Sequence, residues 1–204
     1  MNNRLAIIGA GGHGKVIADI AKKAGYTDIV FLDDNASYQE CNGCPIVGTS
    51  AQINNYLDRD FIVAIGNAQV RKKIHLSLAQ ANAQFATLIH PNATIGDAVS
   101  IGKGSVVMAG AVINPCANIG EGCIVNTCAS VDHDCALGEY VHIAVGAHVA
   151  GSVTIGAGTW IGAGATIIND IEIIGDCVIG AGAVVVHSIT QTGTYIGVPA
   201  RKLH

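Results

Sequence analysis

The second half of the chain carries a hydrophobic pattern with a period of six residues. Every sixth residue from Ile89 to Val185 is aliphatic. The position four residues after each aliphatic is Ala, Cys, Ser, Thr or Val, except at Ile171. Six residues are too few for a helical hairpin and too regularly spaced for a β-sandwich. The pattern predicts a parallel β-helix, in which three short strands close one triangular coil around inward aliphatic side chains.

Coils of this kind place residues 18 positions apart directly above one another, at a spacing of about 4.8 Å. The repeat from about 87 to 187 therefore predicts five to six stacked coils. No long insertion interrupts the period, so we expect flat outer faces.

The first half of the chain alternates short apolar runs with helical patterns. Arg4–Gly9 is an apolar strand that runs into the glycine-rich segment 9–14, and a helix is predicted over about 15–24. The next strand, Ile29–Leu32, ends at two aspartates about twenty residues after the glycines. Glycines at a helix N-terminus admit a phosphate, and an acid at this distance suits a ribose hydroxyl.

This first domain is too short for two nucleotide-binding halves. A third strand is predicted over Phe61–Ile65, followed by Gly66 and a basic helix with Arg71–Lys73, which could attract a phosphate or simply face solvent. About 85 residues hold one mononucleotide half, whereas a dinucleotide needs two. We expect a site for one nucleotide or nucleotide-sugar, with NAD binding and a relic without ligand as alternatives.

The predicted fold is therefore an α/β half-Rossmann domain followed by a left-handed parallel β-helix. We expect the small α/β domain over 1–86, the β-helix over 87–187 and a C-terminal tail over 188–204. Aromatic residues make up only 4% of the chain and glycines number 26, which favours many small repeated contacts over a layered core.

Charge and hydropathy exclude several partners. The formal net charge of −4 provides no cationic surface for nucleic acid. The apolar runs are far shorter than the ~20 residues that cross a bilayer, and the apolar start is too short for a secretory signal. We expect a cytoplasmic protein.

The seven cysteines do not predict a metal site. Cys41 and Cys44 form one C-x-x-C without a second cysteine or histidine pair at zinc spacing, and we interpret them as incidental residues of a loop. Three others, Cys123, Cys135 and Cys177, occupy small inward positions of the repeat.

A histidine and a carboxylate meet at one predicted corner of the β-helix. Val131 points inward, so His133 and Asp134 fall at the next corner, outside the prism, where both side chains can lie on the same side. An imidazole titrates near neutral pH and accepts protons well. An adjacent carboxylate fixes its tautomer and favours the imidazolium. This pair is a candidate general base and its support.

The whole chain resembles the bacterial nucleotide-sugar acetyltransferases of the PglD type, which are related to the NeuD sialic-acid O-acetyltransferases. The segments that carry the resemblance are Gly9–Gly14, Phe31–Asp34, Ala64–Asn67, Arg71–Lys73, Asn126–Thr127, His133–Cys135 and Gly197–Arg201. The resemblance implies a homotrimer with active sites between subunits. It also implies acetyl transfer from acetyl-CoA to the 4-amino group of a UDP-linked 4-amino-4,6-dideoxy sugar, as in bacillosamine-type biosynthesis.

The resemblance also assigns roles to residues of this chain. His133 is the implied base, supported by Asp134 where close relatives carry Glu. The implied contacts to the nucleotide-sugar are Gly11, Gly12, His13, Asp33, Asp34, Gly66 and, near the sugar, Asn126. The implied contacts to acetyl-CoA are His142, Ala163 and Ala181. Ala163 and Ala181 are 18 residues apart, so the repeat stacks them above Val145, where small side chains leave a groove.

Other function classes remain open at this point. A zinc enzyme like the γ-type carbonic anhydrases would use His133, His142 and His148 from two subunits, but such enzymes have no nucleotide domain. An NAD-dependent oxidoreductase is a further alternative, and a sugar hydroxyl could replace the amine as acceptor. His142 and His148 each precede an inward aliphatic and point outward; His148 could serve interface packing or contact a ligand.

Overall fold

The computed structural model describes residues 3–35, 37 and 39–203, so positions 1, 2 and 204 of the expected domain ranges lie outside the described residues. The chain forms two compact units. One runs to Pro91 and includes Lys103–Ser105, and the other comprises Asn92–Gly102 and the chain from Val106 onward. No helix in the described part of the chain has both the length and the apolar character needed to span a membrane.

The first unit is built on a sheet whose strands are parallel except for one edge hairpin. The strands are β1 (Arg4–Ile8), β2 (Asp28–Leu32), β3 (Glu40–Cys41), β4 (Cys44–Gly48), β5 (Asp60–Val63) and β6 (Gln84–Phe85). Their order is β3-β4-β2-β1-β5-β6, and only β3 pairs in antiparallel fashion with its neighbour β4. A short strand, Leu88–Ile89, follows β6. β1 and β5 are almost wholly apolar and buried, as expected for strands covered on both faces.

Helices connect the parallel strands. Helix α1 (Gly12–Lys23) joins β1 to β2, a 3₁₀ helix covers Ser50–Tyr56, and helix α2 (Ala68–Gln80) follows β5. The Asn67 side chain caps α2 by accepting a hydrogen bond from the Val70 amide at 3.0 Å. Helix α1 begins three residues before the predicted start, because the glycine turn itself supplies its first residues.

The segment around the C-x-x-C is a β-hairpin, which corrects its interpretation as a loop. Cys41 and Cys44 flank a two-residue turn, Asn42-Gly43, in which both residues have positive φ (52° and 72°). Asn-Gly at positive φ is the preferred sequence for such a turn. Both cysteines are buried, and β4 lies against β2. The hairpin therefore extends the sheet at one edge.

The second unit is a parallel β-helix with three faces of short strands. The first face contains Val106–Val107, Ile124–Val125, His142–Ile143, Trp160–Ile161, Val178–Ile179, Thr194–Ile196 and, antiparallel at its end, Arg201–Lys202. The second face contains Thr94–Ile95, Val112–Ile113, Ser130–Val131, His148–Val149, Thr166–Ile167 and Val184–Val185. The third face contains Ser100–Ile101, Asn118–Ile119, Ala136–Leu137, Thr154–Ile155 and Glu172–Ile173. Each strand pairs with the strand 18 residues later, as the period predicts.

The interior of the β-helix follows the predicted period. From Val107 to Val185, the aliphatic at every sixth position and the residue four places later are buried in one continuous core. The start of the pattern differs, because Ile95 and Ile101 are only partly buried and Ile89 is 37% exposed. The strands of Ile95 and Ile101 have a coil on one side only, so their inner faces are less covered.

Candidate functional site

The glycine-rich turn divides into structural glycines and open glycines. A methyl group on Gly14 would lie 2.2 Å from the Gly9 carbonyl oxygen, and Gly9 itself has φ +105°. These two glycines let α1 pack closely on the turn. Gly11, the N-cap of α1, and Gly12, its first residue, have no atom within 4 Å of such a methyl group. The open side of the turn therefore lies at the helix N-terminus, where backbone N–H groups favour an anion.

His13 occupies the first turn of α1 beside this open backbone. Its Nε2 is buried and has no hydrogen-bond partner among the described residues. Burial, together with the positive charge of Arg71, lowers the pKa of His13 to about 4. The imidazole is therefore neutral at pH 7 and offers one unsatisfied ring nitrogen, as predicted for a ligand contact.

Arg71 differs from the prediction of a solvent-facing or phosphate-attracting basic helix. Its side chain is 1% exposed, and Nη1 donates to the carbonyl oxygens of Ile65 and Gly66, both at 2.8 Å. Lys72 and Lys73 are exposed. Arg71 thus fixes the loop that carries Gly66, and a methyl group on Gly66 would meet no atom within 4 Å.

The two aspartates at the end of β2 are held by the loops around them. Asp33 accepts hydrogen bonds from the amides of Ala10 at 2.6 Å and Asn35 at 2.7 Å. Asp34 accepts from the amide of Ser50 at 2.8 Å and from its hydroxyl at 2.9 Å. Asp33 therefore ties β2 to the glycine turn, while Asp34 ties it to the start of the 3₁₀ helix. Each carboxylate keeps lone pairs for a ligand.

The predicted catalytic pair forms a direct hydrogen bond. His133 Nδ1 lies 2.8 Å from Asp134 Oδ2, and the two side chains are 57% and 61% exposed. Asp134 has φ +58°, and this left-handed backbone turns two adjacent side chains to the same side of the corner. The hydrogen bond to Asp134 raises the pKa of His133, and the charges of Asp132 and Asp170 add to the effect.

Asp132 supports this corner, and the pattern alone did not single it out. Its Oδ1 accepts from Asn114 Nδ2 at 2.7 Å and from the amide of His133 at 2.8 Å. The hydrogen bond from Asn114, one coil below, holds the pKa of Asp132 below its usual range. The spacing of 18 residues between Asn114 and Asp132 was the available sequence signal.

A second group of predicted residues lies at the first face of the β-helix. Asn126 Nδ2 is 3.2 Å from His142 Nε2, and Asn126 Oδ1 accepts from the Thr127 amide at 2.8 Å. The rings of His142 and Trp160 are tilted by 33°, with centroids 6.2 Å apart. The residue expected near the sugar therefore contacts the histidine expected near acetyl-CoA.

The predicted groove of small residues is present as a stacked column. Gly146 N donates to Thr127 O, Gly164 N to Val145 O and Gly182 N to Ala163 O, at 2.9–3.0 Å. These bonds place Val145, Ala163 and Ala181 one above another, and all three are exposed. Small side chains on this column leave backbone accessible, as expected for a pantetheine groove.

Within one chain the two groups belong to different parts of the prism. His133 follows Ser130–Val131 on the second face, whereas Asn126 and His142 belong to the first face. His148, on the second face, has Nδ1 2.9 Å from the Ser130 hydroxyl. No group of three or more His, Cys, Asp or Glu side chains suited to a metal ion occurs in the part of the chain that the structure describes.

A nucleotide-type α/β unit joined to a hexapeptide β-helix, with a His–Asp pair at a coil corner, defines a class of β-helical acyltransferases. The model of the PglD N-terminal domain family matches residues 4–78. The acetyltransferase domain of PglB from Neisseria gonorrhoeae FA1090, solved with acetyl coenzyme A, is 43% identical, with 100% of both chains covered and a TM-score of 0.96. The chain belongs to this family of PglD- and PglB-type acetyltransferases.

Two further relatives act on, or bind, different nucleotide-sugars. A perosamine N-acetyltransferase variant from Caulobacter crescentus, solved with CoA and GDP-perosamine, is 33% identical with a TM-score of 0.95, covering 98% of this chain and 97% of that chain. The UDP-N-acetylbacillosamine N-acetyltransferase of Bacillus subtilis (strain 168) is 37% identical over 110 residues. That alignment covers 52% of this chain and 51% of the relative.

Proposed function

We propose that this protein transfers the acetyl group of acetyl-CoA to the 4-amino group of a UDP-linked 4-amino-4,6-dideoxy sugar, with His133 as general base. The observation that carries the proposal is the hydrogen bond between His133 Nδ1 and Asp134 Oδ2. Because Asp134 holds Nδ1–H, the Nε2 lone pair is left to accept a proton. The raised pKa of His133 strengthens that nitrogen as a base.

The chemical step is an attack by the sugar amine on the thioester carbon. His133 removes a proton from the amine as the new N–C bond forms, and CoA leaves as a thiolate that takes up a proton. The thioester is already activated, so a positioned base and an aligned amine are the main needs of the reaction. Family membership favours this chemistry over the zinc-enzyme and NAD-dependent alternatives.

The nucleotide-sugar is assigned to the first unit. The open backbone at Gly11 and Gly12 suits the diphosphate, while the free ring nitrogen of His13 can bond a ligand oxygen. Asp33 and Asp34 lie at the carboxyl end of β2, where a ribose is bound in related nucleotide folds. A UDP-sugar is the substrate of the Bacillus relative, and a GDP-sugar is bound in the Caulobacter structure. We favour UDP.

Acetyl-CoA is assigned to the column of Val145, Ala163 and Ala181 beside His142. We further propose a homotrimer in which the His133 corner of one subunit meets the His142 side of the next. This proposal is supported by the location of the two groups on different faces of one chain. We assign the reaction to the cytoplasm, where acetyl-CoA is available.

Replacement of His133 by alanine tests the assignment of the base. We expect kcat at pH 7 to fall at least ~10²-fold, about 2.7 kcal/mol of barrier, while the KM for acetyl-CoA stays close to that of the wild type. Asp134→Asn is the matched control, since asparagine tolerates the left-handed backbone and removes only the charge. It should lose less activity, and high pH should partly restore both variants. Retention of more than about a third of the wild-type kcat in His133→Ala would reject His133 as the base.

A further inference from the structure

Gly151 lies directly beside His133, one residue past the 18-residue stacking partners of Asp132. The Ser152 amide donates to the His133 carbonyl at 2.9 Å, which sets the two corners one above the other. Gly151 is buried although it belongs to a corner of the β-helix. No committed role or motif involves this glycine.

A side chain at position 151 would occupy the space of the His133 ring. A methyl group built on Gly151 would lie 2.6 Å from Nε2, 2.7 Å from Cε1 and 3.2 Å from Cδ2, and these are its three nearest atoms. The backbone of Gly151 lies outside the left-handed region, so an alanine could adopt it without strain. The contact with the imidazole is therefore the reason for glycine that the structure provides.

We propose that Gly151 is a positioning residue: its missing side chain forms the seat on which the His133 imidazole rests with Nδ1 against Asp134. The seat matters for catalysis only if His133 is the base, so the kinetic part of this inference depends on the proposed function. The geometric part does not.

The ring, and not the coil, would yield to an added methyl group. His133 is 57% exposed and can rotate toward solvent, whereas the coil backbone is fixed by its stacked hydrogen bonds. Rotation would break the 2.8 Å hydrogen bond to Asp134 and move Nε2 from its present place. The charged groups that face the ring are Asp132, Asp134 and Asp170, and Asp134 contributes most to its raised pKa.

Gly151→Ala tests the seat through the titration of His133. In the full-length protein, with isotope-labelled histidine, the His133 NMR signal is assigned by its loss in His133→Ala. We expect Gly151→Ala to lower the pKa of His133 toward the ordinary value of about 6.5. We also expect kcat to fall about 10- to 100-fold with little change in either KM, because the base is misplaced and the binding surfaces are intact.

Two controls separate positioning from folding. Gly156→Ala would put a methyl group 2.2 Å from the backbone nitrogen of Gly175, so it should lower the melting temperature, while Gly151→Ala should not. In a double-mutant cycle, Gly151→Ala should cause no further loss of kcat in the His133→Ala background.

An unchanged pKa of His133 in Gly151→Ala would overturn the seat. Equal losses of kcat with and without the imidazole, or a loss of stability like that of Gly156→Ala, would also overturn it. A lowered pKa with wild-type kcat would keep the geometric seat, overturn the kinetic part and reject His133 as the base.

Discussion

The orientation of one imidazole depends on backbone features on both sides of it. Asp134 adopts φ +58°, so its carboxylate turns to the side of His133. Asp132 accepts from the His133 amide, and Gly151 leaves space beside the ring. The repeat correctly placed His133 and Asp134 at an outward corner. It could not reveal the contact with Gly151, because that contact depends on the rotamer of the ring.

Asp34 allows a residue-scale test of nucleotide-sugar binding. Asp34→Ala should raise the KM for the UDP-sugar about tenfold, since a hydrogen bond from a charged group is lost, and leave the KM for acetyl-CoA nearly unchanged. Steady-state kinetics with each substrate varied in turn will measure both constants.

Ser50→Ala is the control for this prediction, because Asp34 also accepts from the Ser50 hydroxyl. This control removes that one bond and keeps the carboxylate, so its effect on KM should be small. Equal effects of the two substitutions would assign Asp34 to the loop and not to the ligand.

At the scale of elements, the sequence predicted most where the hydrophobic period is long. The β-helix strands follow a period repeated over about a hundred residues, and each repeat reinforces the others. The hairpin Glu40–Gly48 and the 3₁₀ helix Ser50–Tyr56 were missed, because each is too short to show a period of its own. The Asn42-Gly43 pair was the local signal for the hairpin.

Helices α1 and α2 each carry a histidine that makes the first unit sensitive to acid. Burial, then the charge of Arg71, lowers the pKa of His13 to about 4; burial, then the charges of Arg71 and Lys103, lowers that of His75 to about 4. In the unfolded chain both titrate near 6.5. Between these values the unfolded state binds more protons, so stability is full above about pH 6.5 and falls as the pH drops toward 4.

Urea unfolding followed by the helical circular dichroism signal will test this dependence, since both α-helices of the described residues lie in the first unit. The wild type should lose a few kcal/mol between about pH 6.5 and 4.5. His13→Gln with His75→Gln should give a shallower slope. An equal slope in the double variant would assign the acid sensitivity to other groups.

At the scale of the whole molecule, the β-helix unit exposes more apolar surface than an isolated copy is expected to show. Val145, Trp160, Ile168 and Ile174 are between 37% and 52% exposed. Exposed apolar side chains on flat faces favour association of identical subunits. Analytical sedimentation at micromolar concentration should give three times the mass of the chain. A single-chain mass would contradict both the trimer and an active site shared between subunits.

Acetyl transfer to a nucleotide-linked amino sugar is the central claim, and release of free CoA thiol measures it most directly. The purified protein is incubated with acetyl-CoA and, in separate reactions, with UDP-, GDP-, dTDP- and CMP-linked amino sugars, each beside a hydroxyl analogue and the His133→Ala variant. The account predicts rapid thiol release with a UDP-linked 4-amino sugar, an N-acetylated product and little release with the hydroxyl analogue or the variant. Thiol release that requires a sugar hydroxyl, or none with any amino sugar, would contradict it.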